Sequence, residues 1–133
     1  RVVARRAHGD RAILLVEDQP SVRGVMRAIL MRHGYQVLDA PTGEEALAIA
    51  ARHPGRIDLL VTDVVMPRMN GRLLAERLSA LRPGTPALFM SGNTEGHLTA
   101  REAQEVAAHY LQKPVAPETL LRRVRAVLDA TRG

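Results

Sequence analysis

The chain has no cysteine and no tryptophan, and its rings are limited to two tyrosines and one phenylalanine. Without cysteine, disulfides and thiolate metal sites are excluded, which suits a reducing compartment. With so few aromatics, a stacking platform for single-stranded nucleic acid is missing. A flavin would find only Tyr35, Phe89 and Tyr110 to stack on, which disfavours a flavodoxin-type cofactor binder. No apolar run approaches the ~20 residues that span a bilayer. Residues 1–10 are basic, without period, and lack the apolar centre of a signal peptide. They read as a linker or an expression remnant, and the expected setting is the cytoplasm.

What remains has the balance of a soluble globular protein, with 46% hydrophobic and 25% charged residues. The 133 residues fit one domain, long enough to bury roughly two-thirds of its unfolded surface. The net charge of +5 raises the question of nucleic acid. The arginines, however, gather at the two ends, at positions 1, 5, 6 and 11 and at 122, 123, 125 and 132. No helix-turn-helix or zinc-finger pattern accompanies them, so solvated helix faces explain the charge better than direct nucleic-acid binding.

Apolar runs and breakers divide the chain into alternating strands and helices. Residues 11–16 form a short continuous apolar run, the mark of a strand buried on both faces. The run ends in Glu17-Asp18, and Pro20 suits the first turn of a helix in which Val22, Val25, Met26, Ile29 and Leu30 fall at helical spacing and which Gly34 stops. Residues 35–38 form a second strand. Thr42 with Glu45 is a capping-box pattern for the second helix. Residues 57–62 form the third strand, delivering Asp63 at its end. Leu73, Leu74, Leu78 and Leu81 define the next helix, broken at Arg82-Pro83-Gly84. Residues 86–90 and 109–112 are the last strands, with a weakly amphipathic helix at 94–107 between them and a final helix opened by Pro117. Five strands alternating with five helices predict an α/β, doubly wound parallel sheet with helices on both faces.

In such folds ligands bind at the carboxyl ends of the strands. Those ends carry Glu17, Asp18, Asp63, Ser91 and Lys113, while Asp39 is expected off to the side. Three carboxylates do not stay ionised together without counter-charge. Oxygen-only ligands favour a hard divalent cation, Mg²⁺ with Mn²⁺ as a substitute, over zinc. A carboxylate in such a cup can attack phosphorus and form an acyl phosphate, and Lys113 is placed to neutralise phosphate oxygens. The histidines at 8, 33, 53, 97 and 109 show no ligand spacing.

The ordered set Glu17-Asp18, Asp63 with Met66-Pro67 and Asn70-Gly71, Ser91-Gly92, and Lys113-Pro114 resembles the receiver domain of two-component response regulators. The phrasing around Phe89-Met90-Ser91-Gly92 and residues 110–114 is most like receivers of hybrid sensor histidine kinases. The resemblance covers residues 11–131 and implies a flavodoxin-like (βα)5 three-layer sandwich with strand order 2-1-3-4-5. It implies Asp63 as the phosphorylation site, and Asp18, Asp63 and the Val65 backbone carbonyl as Mg²⁺ ligands, Glu17 helping through water. It implies Ser91 as the switch hydroxyl, Tyr110 as the switch aromatic and Lys113 as the phosphate contact, with a cis Lys113–Pro114 bond. The implied phosphodonor is a histidine kinase or histidine phosphotransfer domain. The implied reader is a protein docking on the face of the fourth helix, fifth strand and fifth helix, with no direct nucleic-acid or membrane partner. Two departures stand out: Val115, where the family often has an aromatic, and the pair Val65 and Asn93, at positions that tune dephosphorylation.

On this reading the chain is not itself an enzyme beyond accepting its own phosphoryl group, though a parent protein of the hybrid-kinase type is compatible. A phosphohydrolase using an aspartyl phosphate would want a second acid two residues after Asp63, and Val65 is not one. A pseudo-receiver, binding proteins without phosphorylation, is the alternative that the intact acid, hydroxyl and lysine set argues against.

Overall fold

The structure is a computed structural model that describes residues 11–92 and 109–131. Five parallel strands lie in the order β2-β1-β3-β4-β5. They are β1 (Ala12–Val16), β2 (Gln36–Ala40), β3 (Leu59–Asp63), β4 (Ala87–Ser91) and β5 (Tyr110–Gln112). Four helices are described: α1 (Pro20–Arg32), α2 (Gly43–Arg52), α3 (Gly71–Leu81) and α4 (Pro117–Thr131). The helix expected at 94–107 and the leader at 1–10 lie outside the described residues. Among those described, no helix is long and apolar enough to cross a membrane.

The two-layer burial follows from the period of a strand. In β1, Ile13 and Leu15 face α1 and α4, packing with Met26, Leu30, Leu120 and Val124. Leu14 and Val16 face the other way, packing with Ala46, Ala50, Leu74 and Leu78 of α2 and α3. Every residue of β1 and β3 is buried, so β1 and residues 59–61 of β3 read as unbroken apolar runs rather than alternating ones. The register is parallel throughout, pairing Val16 with Thr62 and Asp63 with Met90. It therefore brings the carboxyl ends of β1, β3, β4 and β5 to one edge of the sheet.

Local signals set the helix ends. Pro20 opens α1. At its far end Gly34, at φ 94°, lets its own N–H reach Met31 O at 3.0 Å and that of Tyr35 reach Leu30 O at 3.2 Å. This is the left-handed cap that glycine favours. Thr42 Oγ1 accepts from the Glu45 N–H at 3.1 Å, as the capping pattern requires, and Asn70 Oδ1 accepts from the Leu73 N–H at 2.8 Å.

Some boundaries differ from the sequence reading. Tyr35 precedes β2 and its ring enters the core instead. His109 precedes β5, while Asp63 and Ser91 are the last residues of their strands rather than the first beyond them. Val25 and Leu81, counted in apolar stripes, are 60% and 50% exposed, because Met26 with Leu30 and Leu74 with Leu78 already cover the sheet.

Arg82 does more than end α3. Its guanidinium donates to Ala50 O at 2.9 Å, His53 O at 2.6 Å and Gly55 O at 2.7 Å, satisfying carbonyls at the end of α2. Hydrogen bonds from a charged donor contribute about 1.5–3 kcal/mol in favourable cases. Arg82→Ala is therefore expected to lower stability by about 2 kcal/mol. In urea unfolding the midpoint should fall with little change in slope.

Candidate functional site

The sheet edge collects the expected acids. Glu17 follows the last residue of β1 and is fully buried; Asp63 ends β3 and is 2% exposed; Asp18 is exposed at the mouth. One carboxylate oxygen from each lies within 4.8 Å of the others. Lys113, just after β5, places Nζ 2.8 Å from Asp63 Oδ1 and 3.2 Å from Glu17 Oε1. Its backbone N–H is tied to Ser91 O at 2.9 Å, which links the ends of β4 and β5. The Lys113–Pro114 bond is cis. Asp39 stays to the side, as expected, paired with Arg23 and Arg27 of α1 at 3.3 and 3.2 Å.

Further contacts hold Glu17. The Gln19 N–H donates to its Oε2 at 3.0 Å, and Arg23 Nη1 donates to its backbone carbonyl at 2.8 Å. Glu17 thus meets Lys113 directly. Arg23 is a site-building residue that the sequence reading missed. Its only signal was a basic residue one turn into the helix that follows the acid pair.

The electrostatics are those of a carboxylate pair with too little counter-charge. Burial pushes Asp63 up to about 7; the hydrogen bond from Lys113 pulls the other way, and the Glu17 carboxylate adds to the rise. Burial disfavours the Lys113 ammonium, but its hydrogen bond to Asp63 and the charges of Asp63 and Glu17 outweigh that, so its pKa is raised. Among the described residues Asp63 Oδ2 is buried without a hydrogen-bond partner, and Glu17 Oε1 has only the ion-pair contact with Lys113. Two buried, under-satisfied carboxylate oxygens beside an exposed third acid fit a hard divalent cation. Val65, expected to add its carbonyl, follows β3 by two residues in a loop and is 82% exposed.

The Asp63 shift gives a pH dependence with a defined sign. An unfolded Asp63 loses its proton near 3.8, whereas the folded one keeps it to about 7. The metal-free protein should therefore lose stability as pH rises from about 4 to about 7, by up to about 4 kcal/mol for a three-unit shift. Urea midpoints in chelator should carry this slope in the wild type relative to Asp63→Asn. A divalent cation at a hundredfold its Kd should restore about 2.7 kcal/mol.

Ser91 and Tyr110 complete the expected set on the neighbouring strands. Ser91 ends β4 and pairs with Gln112, while Tyr110 opens β5 opposite Phe89. The Phe89 and Tyr110 rings lie 5.2 Å apart. Val115, at the departure from the family pattern, packs against the core on the α1–α4 side.

A family model described as the response regulator receiver domain matches residues 13–125. The chain is a receiver domain of the two-component response regulator family. It is 36% identical over 122 residues to the sensor kinase CckA of Brucella abortus, covering 91% of this chain and 13% of that one. It is 38% identical over 120 residues to the response regulator MprA of Mycobacterium leprae, spanning 52% of that protein. It is 33% identical over 118 residues to PilH of Pseudomonas aeruginosa, spanning 96% of it. The receiver fold matches a crystal structure of the receiver domain from the hybrid histidine kinase CckA, with a TM-score of 0.73 and 38% identity. That match covers 88% of this chain and 98% of that one. A CheY-like receiver from Methanospirillum hungatei JF-1 matches with a TM-score of 0.73 at 29% identity, over 91% of this chain and 95% of that one. Receivers of this family work with histidine kinases or phosphotransfer proteins.

Proposed function

We propose that this receiver is a phosphoacceptor, with Asp63 taking a phosphoryl group from a phosphohistidine on a histidine kinase or phosphotransfer domain. The observation that carries the reading is the buried Asp63 carboxylate, with Lys113 Nζ at 2.8 Å and acid oxygens of Glu17 and Asp18 within 4.8 Å. Glu17, Asp18 and Asp63, with the Val65 carbonyl, would hold Mg²⁺ or Mn²⁺. When bound, the cation neutralises charge that develops on the transferring group.

In the transfer, an Asp63 carboxylate oxygen forms a bond to phosphorus as the bond from phosphorus to the donor imidazole breaks. The electron pair returns to that imidazole nitrogen. Lys113 leaves Asp63 Oδ1 for a phosphoryl oxygen, contributing a point charge that is already in place. The Ser91 hydroxyl turns toward the same group, and Tyr110 moves into the room it leaves. A partner protein then reads the face around β5 and α4. The chain accepts one phosphoryl group and, as a receiver rather than a hydrolase, turns over no external ester. The likeness to the CckA hybrid kinase supports a hybrid-kinase setting.

The test is incubation of the chain with Mg²⁺ and a small acyl phosphate, read by intact mass and by release of the label with hydroxylamine, which cleaves acyl phosphates. One labile phosphoryl group per chain is expected. No label and no Mg²⁺ binding would replace this reading with that of a protein-binding pseudo-receiver.

A further inference from the structure

The residue that engages the phenol of Tyr110 comes from neither β4 nor β5. Arg72, in the first turn of α3, donates from Nη2 to Tyr110 Oη. Its guanidinium carbon also lies 5.6 Å from the centroid of the Tyr110 ring and 5.9 Å from that of Phe89. One planar cation thus bonds the phenol and lies within cation–π distance of both rings, a reach that suits the arginine fork better than lysine. The backbone of Tyr110 is held separately: Arg123 Nη1 of α4 donates to its carbonyl at 3.0 Å.

Arg72 is also mechanically close to Asp63. The preceding residue, Gly71, donates its N–H to Val64 O at 2.8 Å, one residue after Asp63. A methyl group built on Gly71 would stand 2.2 Å from the Asp63 carbonyl oxygen, so the start of α3 rests directly on the end of β3. A shift at Asp63 therefore moves the backbone that carries Arg72.

We propose that Arg72 latches Tyr110 in its resting position, a positioning role that rests on reading Asp63 as the phosphoacceptor and Tyr110 as the switch aromatic. Re-seating Tyr110 must break the phenol hydrogen bond and part the ring from the guanidinium. The latch biases the protein toward its unphosphorylated state and gives Asp63 a route to Tyr110 through α3, beside the one through Ser91. Arg72 is exposed, so the bias is modest, a factor of about three to ten in the switching equilibrium.

The absence of tryptophan makes the test direct. In a Tyr35→Phe background Tyr110 is the sole fluorescent tyrosine of the full chain. Its emission is followed while the Mg²⁺-loaded protein is titrated with beryllium fluoride, a phosphoryl mimic. Arg72→Met should lower the midpoint about three- to tenfold and move the resting emission toward that of the saturated protein. Arg72→Lys should recover only part of the wild-type midpoint. The Mg²⁺-dependent rise in unfolding temperature should be the same in all three, since Arg72 is not part of the acid cluster. A wild-type response with an unchanged or raised midpoint in Arg72→Met overturns the latch while leaving the phosphoacceptor reading intact. No response in either protein overturns the phosphoacceptor reading, and the latch with it.

Discussion

Asp63→Asn will carry no label after incubation with Mg²⁺ and an acyl phosphate, while the wild-type chain carries one phosphoryl group. The amide is nearly isosteric with the acid, so packing around the end of β3 survives. What is lost is the anionic nucleophile. Glu17 cannot replace it, because its carboxylate is fully buried, with one oxygen on the Gln19 N–H and the other on Lys113. Asp18 is exposed and, on this reading, committed to the cation. Removing one buried negative charge should also make the metal-free protein more stable above pH 7, as burial and Glu17 make the ionised Asp63 costly. Loss of label with gain of stability separates a missing nucleophile from a damaged fold. Hydroxylamine-labile label persisting on the variant, measured by intact mass, would move the acceptor to another residue.

Gly71→Ala should have a large effect for a single added methyl group. The new Cβ would fall 2.2 Å from the Asp63 carbonyl oxygen and 3.1 Å from Thr62 Cγ2. Neither is the free end of a flexible side chain: one is backbone, and the other belongs to a fully buried β-branched residue. The start of α3 must therefore lift from β3, weakening the Gly71 N–H bond to Val64 O. Overpacking of this kind typically costs about 1–3 kcal/mol, occasionally more, and about 3 kcal/mol is expected here. Labelling at Asp63 should slow as well, since the displaced atoms carry that carboxylate. Gly24→Ala is the matched control: nothing lies within 4 Å of its added methyl. In the interior of α1 it should stabilise by about 0.5–1 kcal/mol. Thermal unfolding of the two variants should thus move in opposite directions.

The parts of this site that were legible in the sequence share one property: each lies at the carboxyl end of a strand that could be read from the sequence. Asp63 follows Leu59-Leu60-Val61-Thr62, Glu17-Asp18 follow residues 11–16, and Lys113 follows the short last strand. A parallel sheet converts that one-dimensional fact into proximity, because all its strands end on one side. Side chains that cross between elements left no such mark. Arg23 reaches back to the Glu17 carbonyl, Arg82 reaches 32 residues to Ala50, and Arg72 reaches 38 residues to Tyr110. Arg23 and Arg72 lie on helices and Arg82 just past the end of one, and none is distinguishable in sequence from its solvated neighbours. What sets them apart is the reach of a long side chain once the helices are packed. The exposure of Val25 was unreadable for a related reason: helical spacing marks a stripe, but the width of the sheet decides how much of it is covered.

The acid and its reporters sit in parts of the sheet that differ in how readily they open. Asp63 ends a fully buried five-residue strand with neighbours on both sides, whereas Tyr110 and Lys113 lie on or beside a three-residue strand at the edge. Amide hydrogens of β1 and β3 should exchange with solvent only through global unfolding, and those of β5 through local opening at far lower cost. Bound phosphate, held in part by Lys113, should slow exchange at β5 while leaving β1 and β3 unchanged. Under the proposed function, the receiver would write its signal in the least mobile part of the sheet and display it in the part that breathes.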